Sequence, residues 1–206
     1  MSRYTRPITR VSRRLGVILF PNPGSKSKSF NKKNFKPGMH GQKHFTQLSE
    51  FNKQLREKQK ARFLYGITER QSRNYFRLAS KSSEITGFQF LRLLEQRLDN
   101  AVFRAGFAST RPQARQMVNH GLVKLNDKKA TIPSIQIHVG DKFEIKEKHK
   151  ASKLFDEAKK AKYKAPKWLK SDQSSLKCEV TGIPDKDDIE QIIEHHLITE
   201  FYSKQL

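Results

Sequence analysis

The stretch Arg97–Phe143, RLDNAVFRAGFASTRPQARQMVNHGLVKLNDKKATIPSIQIHVGDKF, constrains the fold most, because it sets two short basic helices directly before a hairpin. Ser109 or Thr110 can cap a helix, Pro112 stands in its first turn where a missing N–H costs nothing, and Ala114, Met117 and Val118 face inward up to Gly121. The period then becomes two. Val123 and Leu125 alternate with Lys124 and Asn126, Asn126-Asp127 turns the chain, and Ile135, Ile137 and Val139 alternate again before Gly140-Asp141 leads into Phe143 and Ile145. A helix pair against a small antiparallel sheet is the predicted unit. Arg104, Arg111, Arg115, His120, Lys124 and Lys128 fall near the helix pair or outward on the first strand, so the unit can bury a core and still show a cationic face. Guanidinium forks match phosphate oxygens two at a time, and a helix N-terminus adds backbone amides. Asn100, Gln116 and Asn126 supply uncharged donors and acceptors suited to the shallow minor groove of RNA.

Charge points the same way. Forty-two Lys and Arg against twenty Asp and Glu give a net charge of +22, so the partner is a polyanion. The charge is uneven: residues 1–75 hold eighteen Lys and Arg against three acids, whereas 172–206 hold three against eight. A basic body with an acidic end is expected to take RNA along most of its length, with the acidic end either a solvated face or a contact for a basic protein. A hydrophobic fraction of 35% over 206 residues suits two small domains rather than one large core. The lone Cys178 excludes an intramolecular disulfide and a Cys-based zinc cluster. No apolar run approaches the roughly 20 residues a bilayer span needs, and the first residues lack a signal-peptide core. The expected location is the cytosol, or an organelle that makes its own proteins.

Residues 1–46 carry Pro and Gly among basic residues without a sustained period, and form an arm whose apolar knot, Leu15, Val17, Ile18, Leu19 and Phe20, should dock on something. From Ser49, a predicted N-cap, a helix runs to Gly66 with Phe51 and Leu55 inward. Thr68 and Gln71 have capping-box spacing before a second helix through Tyr75, Phe76 and Ala79; Thr86 and Gln89 repeat it before the stripe Leu91, Leu94, Leu98 and Val102. Whether one helix runs through Arg97, or Asp99 caps a new one, the sequence leaves open. Residues 146–171 are Lys-rich and could be helical, with Pro166 as a boundary. Asp187 and Asp188 precede Ile189, Ile192, Ile193 and Leu197 in a predicted last amphipathic helix, at its positive end.

The run RLDN-FRAGFA-TR-ARQ-V-HG-V-LN resembles the RNA-binding domain shared by ribosomal protein S-four, some pseudouridine synthases, tyrosyl-tRNA synthetases and small stress proteins. The flanks choose among them. SRRLG (Ser12–Gly16), KPGMHG (Lys36–Gly41), QLREKQKARFLYGITERQSRNYF (Gln54–Phe76), LLEQRLDN (Leu93–Asn100), KWL and EHHLITEFYSK are similar to the bacterial form of S-four over nearly the whole chain. The resemblance implies an α+β fold: a helical domain with an inserted small RNA-binding domain, two helices packed on an antiparallel sheet, and an extended basic N-terminal arm. The expected boundaries are 1–46 for the arm, 47–96 completed by 180–206 for the helical domain, 97–160 for the inserted domain and 161–179 for a connecting segment. Leu197, Ile198 and Phe201 should pack on the helices between Ser49 and Leu94.

The same resemblance implies a primary binder of the 5′ domain of small-subunit ribosomal RNA, which nucleates the subunit body and meets the neighbouring protein S-five at an interface tied to decoding accuracy. The residues expected to touch RNA are Arg3, Arg10, Arg13, Arg14, Lys36 and His40 in the arm; Lys53, Arg56, Lys58, Lys60, Arg62, Tyr65, Arg70, Arg73 and Asn74 in the helical domain; and Arg97, Asn100, Arg104, Thr110, Arg111, Arg115, Gln116, His120, Lys124, Asn126 and Lys128 in the inserted domain. Asp187, Asp188 and Glu190 are the expected protein-partner residues. Two departures from the family stand out. Many members carry an N-terminal four-cysteine zinc knuckle, absent before Cys178, so neither metal nor cofactor is expected. Where relatives face the mRNA tunnel with several basic residues, Gln42-Lys43-His44-Phe45-Thr46-Gln47 keeps one firm positive charge, and contact with incoming message should be weaker.

Single residues invite sharper stories. His40 and His44 lack acidic or thiol partners for a metal. Among aromatics at helical spacing, Tyr65, beside Arg62 and Gly66, is the best candidate to stack on a base, set evenly against a core role. The main competing reading is enzymatic. Arg97-Leu98-Asp99 resembles the catalytic aspartate motif of pseudouridine synthases, but those enzymes need a large mixed-sheet domain and about sixty residues follow the module here, so Asp99 is expected to cap a helix or pair with an arginine. A regulator that binds its own mRNA or the transcription machinery remains compatible with the ribosomal reading.

Overall fold

A computed structural model of the chain describes residues 4, 7–19, 30–33, 35–42, 48–156, 158 and 163–205. The expectations for Arg3, Phe20 and the 43–47 segment lie outside these residues. The chain divides into two compact units, Met1–Lys81 with Ile192–Leu206, and Ser82–Gln191.

In the first unit, α1 (Ile8–Leu15) ends at Gly16 in the left-handed region, and Val11, Leu15 and Leu19 bury against Phe63. The apolar knot of the arm therefore docks within its own unit. Helix α2 (Glu50–Leu64) starts at Ser49, whose hydroxyl accepts from the Asn52 amide at 3.3 Å. Helix α3 (Glu69–Ala79) starts at the Thr68–Gln71 capping box that its sequence announces. The last helix, His195–Ser203, packs along α2; it is α8 in chain order. Its seam is more polar than hydrophobic spacing implies. Gln54 donates to Glu200 at 2.7 Å, Glu57 accepts from the Glu194 amide at 3.2 Å, and the Lys58 ammonium sits 4.5 Å over the Phe201 ring. These buried polar groups occupy the inward face, so Phe51, predicted inward, is exposed, its ring tilted 34° to that of Phe201 with centroids 5.7 Å apart. Tyr202, fully buried, packs near Phe76, and its hydroxyl accepts from Ser72 Oγ at 2.8 Å while its own proton goes to Glu69.

In the second unit, α4 (Thr86–Glu95) begins after Ile85 with no side-chain cap. The Thr86–Gln89 box does not form, because Gln89 Oε1 accepts instead from Arg92 at 3.1 Å. The apolar stripe then breaks at Arg97, whose extended backbone bridges Gln136, and α5 (Leu98–Arg104) starts anew. Leu98 and Asp99 amides donate to Ile135 and Pro133, and Ile137 donates to Gln96. The 133–137 segment thus lies against a helix break; it is not the predicted strand, and Val139 is exposed. Helix α6 (Arg111–Asn119) is capped by Thr110, with Pro112 in its first turn.

Strands β1 (Val123–Leu125), β2 (Lys128–Ala130), β3 (Lys142–Ile145), β4 (Leu169–Asp172) and β5 (Lys177–Val180) form an antiparallel sheet in the order β2-β1-β3-β5-β4. Asn126 and Asp127 hold positive φ values of 47° and 64°, the two left-handed residues that a tight hairpin needs. One face of the sheet buries Val123, Phe143, Ile145 and Cys178 with Val102, Phe107, Met117 and Trp168. Two expectations fail here. The connecting segment 161–179 supplies β4 and most of β5: each strand is four residues, with one buried position in β4 and two in β5, too short a signal against flanking lysines. Among the described residues the Lys-rich stretch is helical in part, at α7 (Glu147–Lys150), in a 3₁₀ turn, Lys153–Phe155, and at Asp156 and Ala158. The predicted start of the last helix also shifts. Asp185 and Asp188 exchange capping bonds around the 3₁₀ turn Lys186–Asp188, Ile189 is extended, and the helix waits until His195, so Asp187 and Asp188 do not sit at its N-terminus. The unit boundaries fall at 81/82 and 191/192 rather than at 96/97 and 160/161, since α4 and residues 180–191 belong with the sheet.

Tyr202→Phe removes the buried hydroxyl that accepts from Ser72 and donates to Glu69 and should cost about 1 kcal/mol in urea unfolding of the chain. A midpoint unmoved by the substitution would deny the hydroxyl a part in docking α8.

Candidate RNA interface

The arginines of the second unit turn inward. Arg97 is fully buried, and its Nε and Nη2 donate to the two carboxylate oxygens of Asp99 at 3.0 and 2.8 Å. Asp99 also accepts from the Asn100 amide at 2.9 Å and lies 4.0 Å from Arg115. Glu95, also fully buried, receives a bidentate fork from Arg104 at 2.9 and 2.8 Å and a bond from Asn100 Nδ2 at 2.6 Å. Asn100 Oδ1 accepts from Arg111 Nε at 2.8 Å, and Glu190 accepts from Arg111 at 2.8 Å and lies 3.2 Å from Arg104. Three carboxylates therefore meet four guanidiniums around the ends of α4, α5 and α6.

This corrects the predicted cationic face: Arg97, Asn100, Arg104 and Arg111 hold the unit together, and Arg115 leans on the same carboxylates. Burial forces the outcome, because a desolvated guanidinium without a carboxylate is too costly to keep. Asp99 is likewise committed, neither a cap for α5 nor a free catalytic carboxylate. Glu190, expected to meet a protein partner, is spent on Arg104 and Arg111, and Asp188 caps a turn while its carbonyl accepts from Arg104. Asp187 stays exposed. Asn126 is exposed but its side chain is engaged within the fold: its Nδ2 donates to Asp141 at 2.8 Å and its Oδ1 accepts from Lys142 N at 2.9 Å, tying the hairpin to the next turn. The polar side chains that the second unit leaves outward on α6 and the hairpin include Gln116, Asn119, His120, Lys128 and Lys129, with Lys124 partly exposed; Thr110 Oγ1 is used in capping.

In the first unit the free charge gathers on α3. Arg70, Arg73, Asn74 and Arg77 are all exposed and stand at i, i+3, i+4 and i+7, one stripe of the helix, while Ser72, Phe76 and Ala79 are buried on the other side. Lys81 continues the stripe past the helix end. Arg70 and Arg77 have no ion-pair partner among the described residues. Arg77 and Lys81 were missed in the sequence, although the helical step from Arg70 was there to find them. At the start of α3, Glu69 gathers Lys58 at 3.0 Å, Arg62 at 3.4 Å and Arg73 at 3.8 Å, and accepts from the Tyr202 hydroxyl at 3.2 Å. Burial pushes the Glu69 carboxyl up, but Lys58, Tyr202 and Arg62 outweigh it and hold it below its usual 4.5.

Other expected RNA residues divide by exposure. Lys58 is buried and Lys60 nearly so against Glu57; Lys53 is exposed beside Glu50, and Arg56 is half-buried. Tyr65 is only 4% exposed, so it is core and does not offer a stacking face. Arg10 and Arg14 are exposed on α1, whereas Arg13 donates to the Phe35 carbonyl at 3.0 Å and covers that ring. KPGMHG is a tight turn: a Cβ on Gly41 would lie 1.8 Å from the Lys36 carbonyl oxygen, so only glycine closes it and Met39 and His40 project outward. Among the described residues no cluster of three His, Cys, Asp or Glu is placed to hold a metal, and no helix is long and apolar enough to cross a membrane. Burial pushes the Cys178 thiol up to about 12, so it stays protonated and inert in the core.

Two protein families match adjoining stretches of the chain, together residues 3–143. Residues 3–95 match the family described as ribosomal protein S4/S9 N-terminal domain, and residues 96–143 match the S4 domain. Among curated relatives, the chain is 45% identical to the small ribosomal subunit protein uS4 of Caldicellulosiruptor saccharolyticus, over 99% of this chain and all of that protein. It is 41% identical to uS4 of Chlorobium limicola and 42% to uS4 of Pediococcus pentosaceus, each at 99% of this chain and the relative's full length.

Asp99→Asn strips the charge that pairs the buried Arg97 and should lower stability by about 3–5 kcal/mol, read as a fall in the thermal midpoint. An unchanged midpoint would mean that Asp99 is free for another role. Because Glu69 is depressed when folded, its contribution is present above pH 4.5 and lost as pH falls through its lower folded value. Glu69→Gln should flatten that acid limb in a stability–pH series, and an acid limb identical to wild type would remove Glu69 as its source.

Proposed function

The chain belongs to the uS4 family of small ribosomal subunit proteins, as a structural, rRNA-binding constituent, and on that premise we propose that it is a primary binder of the 5′ domain of small-subunit rRNA that nucleates the subunit body. The exposed guanidinium stripe of α3 carries this reading: Arg70, Arg73 and Arg77 line one helical face with Asn74 as an uncharged donor and acceptor between them. A row of forks at helical spacing suits successive phosphates along a duplex, where it fixes register without reading bases. Arg10 and Arg14 on α1, and His120, Gln116, Lys124 and Lys128 on the second unit, add contacts of the same kind.

The role is non-enzymatic. The one residue that favoured catalysis, Asp99, has both carboxylate oxygens committed to Arg97. Contact with the neighbouring protein S-five, if made through the acidic end, falls to Asp187 rather than to Asp188 or Glu190, which have internal partners. A contribution to decoding accuracy would follow from that contact, and charge reversal at Asp187 should weaken a measured affinity for it. With one firm charge in residues 42–47, contact with incoming mRNA is weak in this chain, and Lys43→Ala should leave message unwinding by assembled ribosomes nearly unchanged.

Affinity for a purified 5′-domain rRNA fragment should fall with salt at a log–log slope of roughly six to seven, as about eight neutralised phosphates give. Binding should far exceed that for an equally long unrelated structured RNA. Arg70→Gln with Arg77→Gln should reduce the slope by about two and leave the thermal midpoint in place. Equal affinity for the two RNAs would contradict the assignment.

A further inference from the structure

The sheet has a second face, turned away from α5 and α6, and its register collects lysines. Lys129 on β2 stands directly across from Lys124 on β1, Lys124 across from Glu144 on β3, and Glu144 across from Lys177 on β5. Pleating puts these residues opposite the buried Val123, Phe143 and Cys178. Like charges paired across strands weaken a sheet, and Glu144 is already shared by Lys124 at 3.8 Å, Lys177 at 3.5 Å and Lys150 at 4.0 Å. Lys129 has no ion-pair partner among the described residues. Its side chain is laid along the turn after α6: a Cβ on Gly121, which holds φ at +67°, would meet Lys129 Cε at 2.4 Å. Lys146 reaches the same turn through its backbone N–H, which donates to the Leu122 carbonyl at 2.9 Å, and exposed Lys148 follows. Lys146 loses basicity, first through partial burial and then through Lys129, Lys148 and Lys124, as ammonium groups crowded together do.

We propose that Lys124, Lys129, Lys146 and Lys148 form a phosphate-contacting surface for an RNA backbone on the outer face of the sheet, so that the second unit holds RNA there as well as along α6. The occupant follows from the chemistry. Ammonium groups act as point charges for phosphate and carry no base preference, and the in-register outer positions contain no aromatic side chain on which a base would stack. An anion between Lys124 and Lys129 also removes the repulsion that the register imposes. This inference deepens the ribosomal reading and rests on it for the identity of the RNA.

The test compares two triple variants of the full chain on the 5′-domain rRNA fragment over a salt series. K129Q/K146Q/K148Q should bind about tenfold more weakly near physiological salt, with the slope reduced by about two to three. Its thermal midpoint should be unchanged or raised, since like charges are removed. K153Q/K164Q/K167Q removes as many exposed lysines of the same unit away from those strands and should bind like wild type. An unaltered affinity in the first variant, or an equal loss in both, would overturn the sheet-face surface. Wild-type binding that shows no preference for rRNA would instead count against the ribosomal assignment, while the contrast between the two variants still decides the lysine surface on either RNA.

Discussion

Everything in the second unit turns on the buried pair of Arg97 and Asp99. Arg97 interrupts an apolar stripe that would otherwise continue as one helix, and its extended backbone, bridged to Gln136, lets α5 leave in a new direction. A guanidinium at zero exposure is tolerable because Asp99 takes its Nε and Nη2 donors and the Asn100 amide adds a further bond to the carboxylate. Glu95 and Glu190 repeat the device for Arg104 and Arg111, with Asn100 bridging the two sets. The result fixes α4, α5, α6 and the 185–190 segment around one polar centre. Removing a single carboxylate leaves an arginine stranded, whereas removing a surface lysine leaves only solvent.

That arrangement separates two jobs for the same side chain. Arginine inside the second unit is a strut, chosen because its planar fork can satisfy two carboxylate oxygens and still reach a third group. On α3, Arg70 and Arg77 are exposed with no ion-pair partner among the described residues, which is the state in which a phosphate gains most from a guanidinium. Lysine fills the remaining role on the sheet, where charge without directionality is enough. The count of forty-two Lys and Arg therefore overstates the RNA-facing positive groups, since part of the arginine is neutralised within the fold.

Much of this was legible in the residues. The capping box at Thr68, the cap at Thr110, the turn at Asn126-Asp127 and the inward Ala114, Met117 and Val118 all stand where spacing put them, because each depends on neighbours in sequence. The failures share the opposite property. Phe51 lost its inward place to polar contacts with Glu194 and Glu200, more than a hundred residues away; β4 and β5 exist because β3 offers them an edge; and Ile135 and Ile137 pair with a helix break that no local pattern announces. The site suffered most. Nothing local distinguishes Arg104 or Arg111, held by Glu95 and Glu190, from Arg70 or Arg77, which have no ion-pair partner among the described residues. The long-range acids decide which arginines remain for RNA.

Residue-resolved chemical modification tests that division most directly: arginine and lysine reactivity of the full chain, measured by mass spectrometry with and without the 5′-domain rRNA fragment. The account predicts that Arg97, Arg104 and Arg111 react poorly in both states. Arg70 and Arg77 should react freely alone and become protected on the RNA. Arginines 104 and 111 that react readily in the free chain and are shielded only by RNA would contradict it, and would return them to the binding face from which the fold withdraws them.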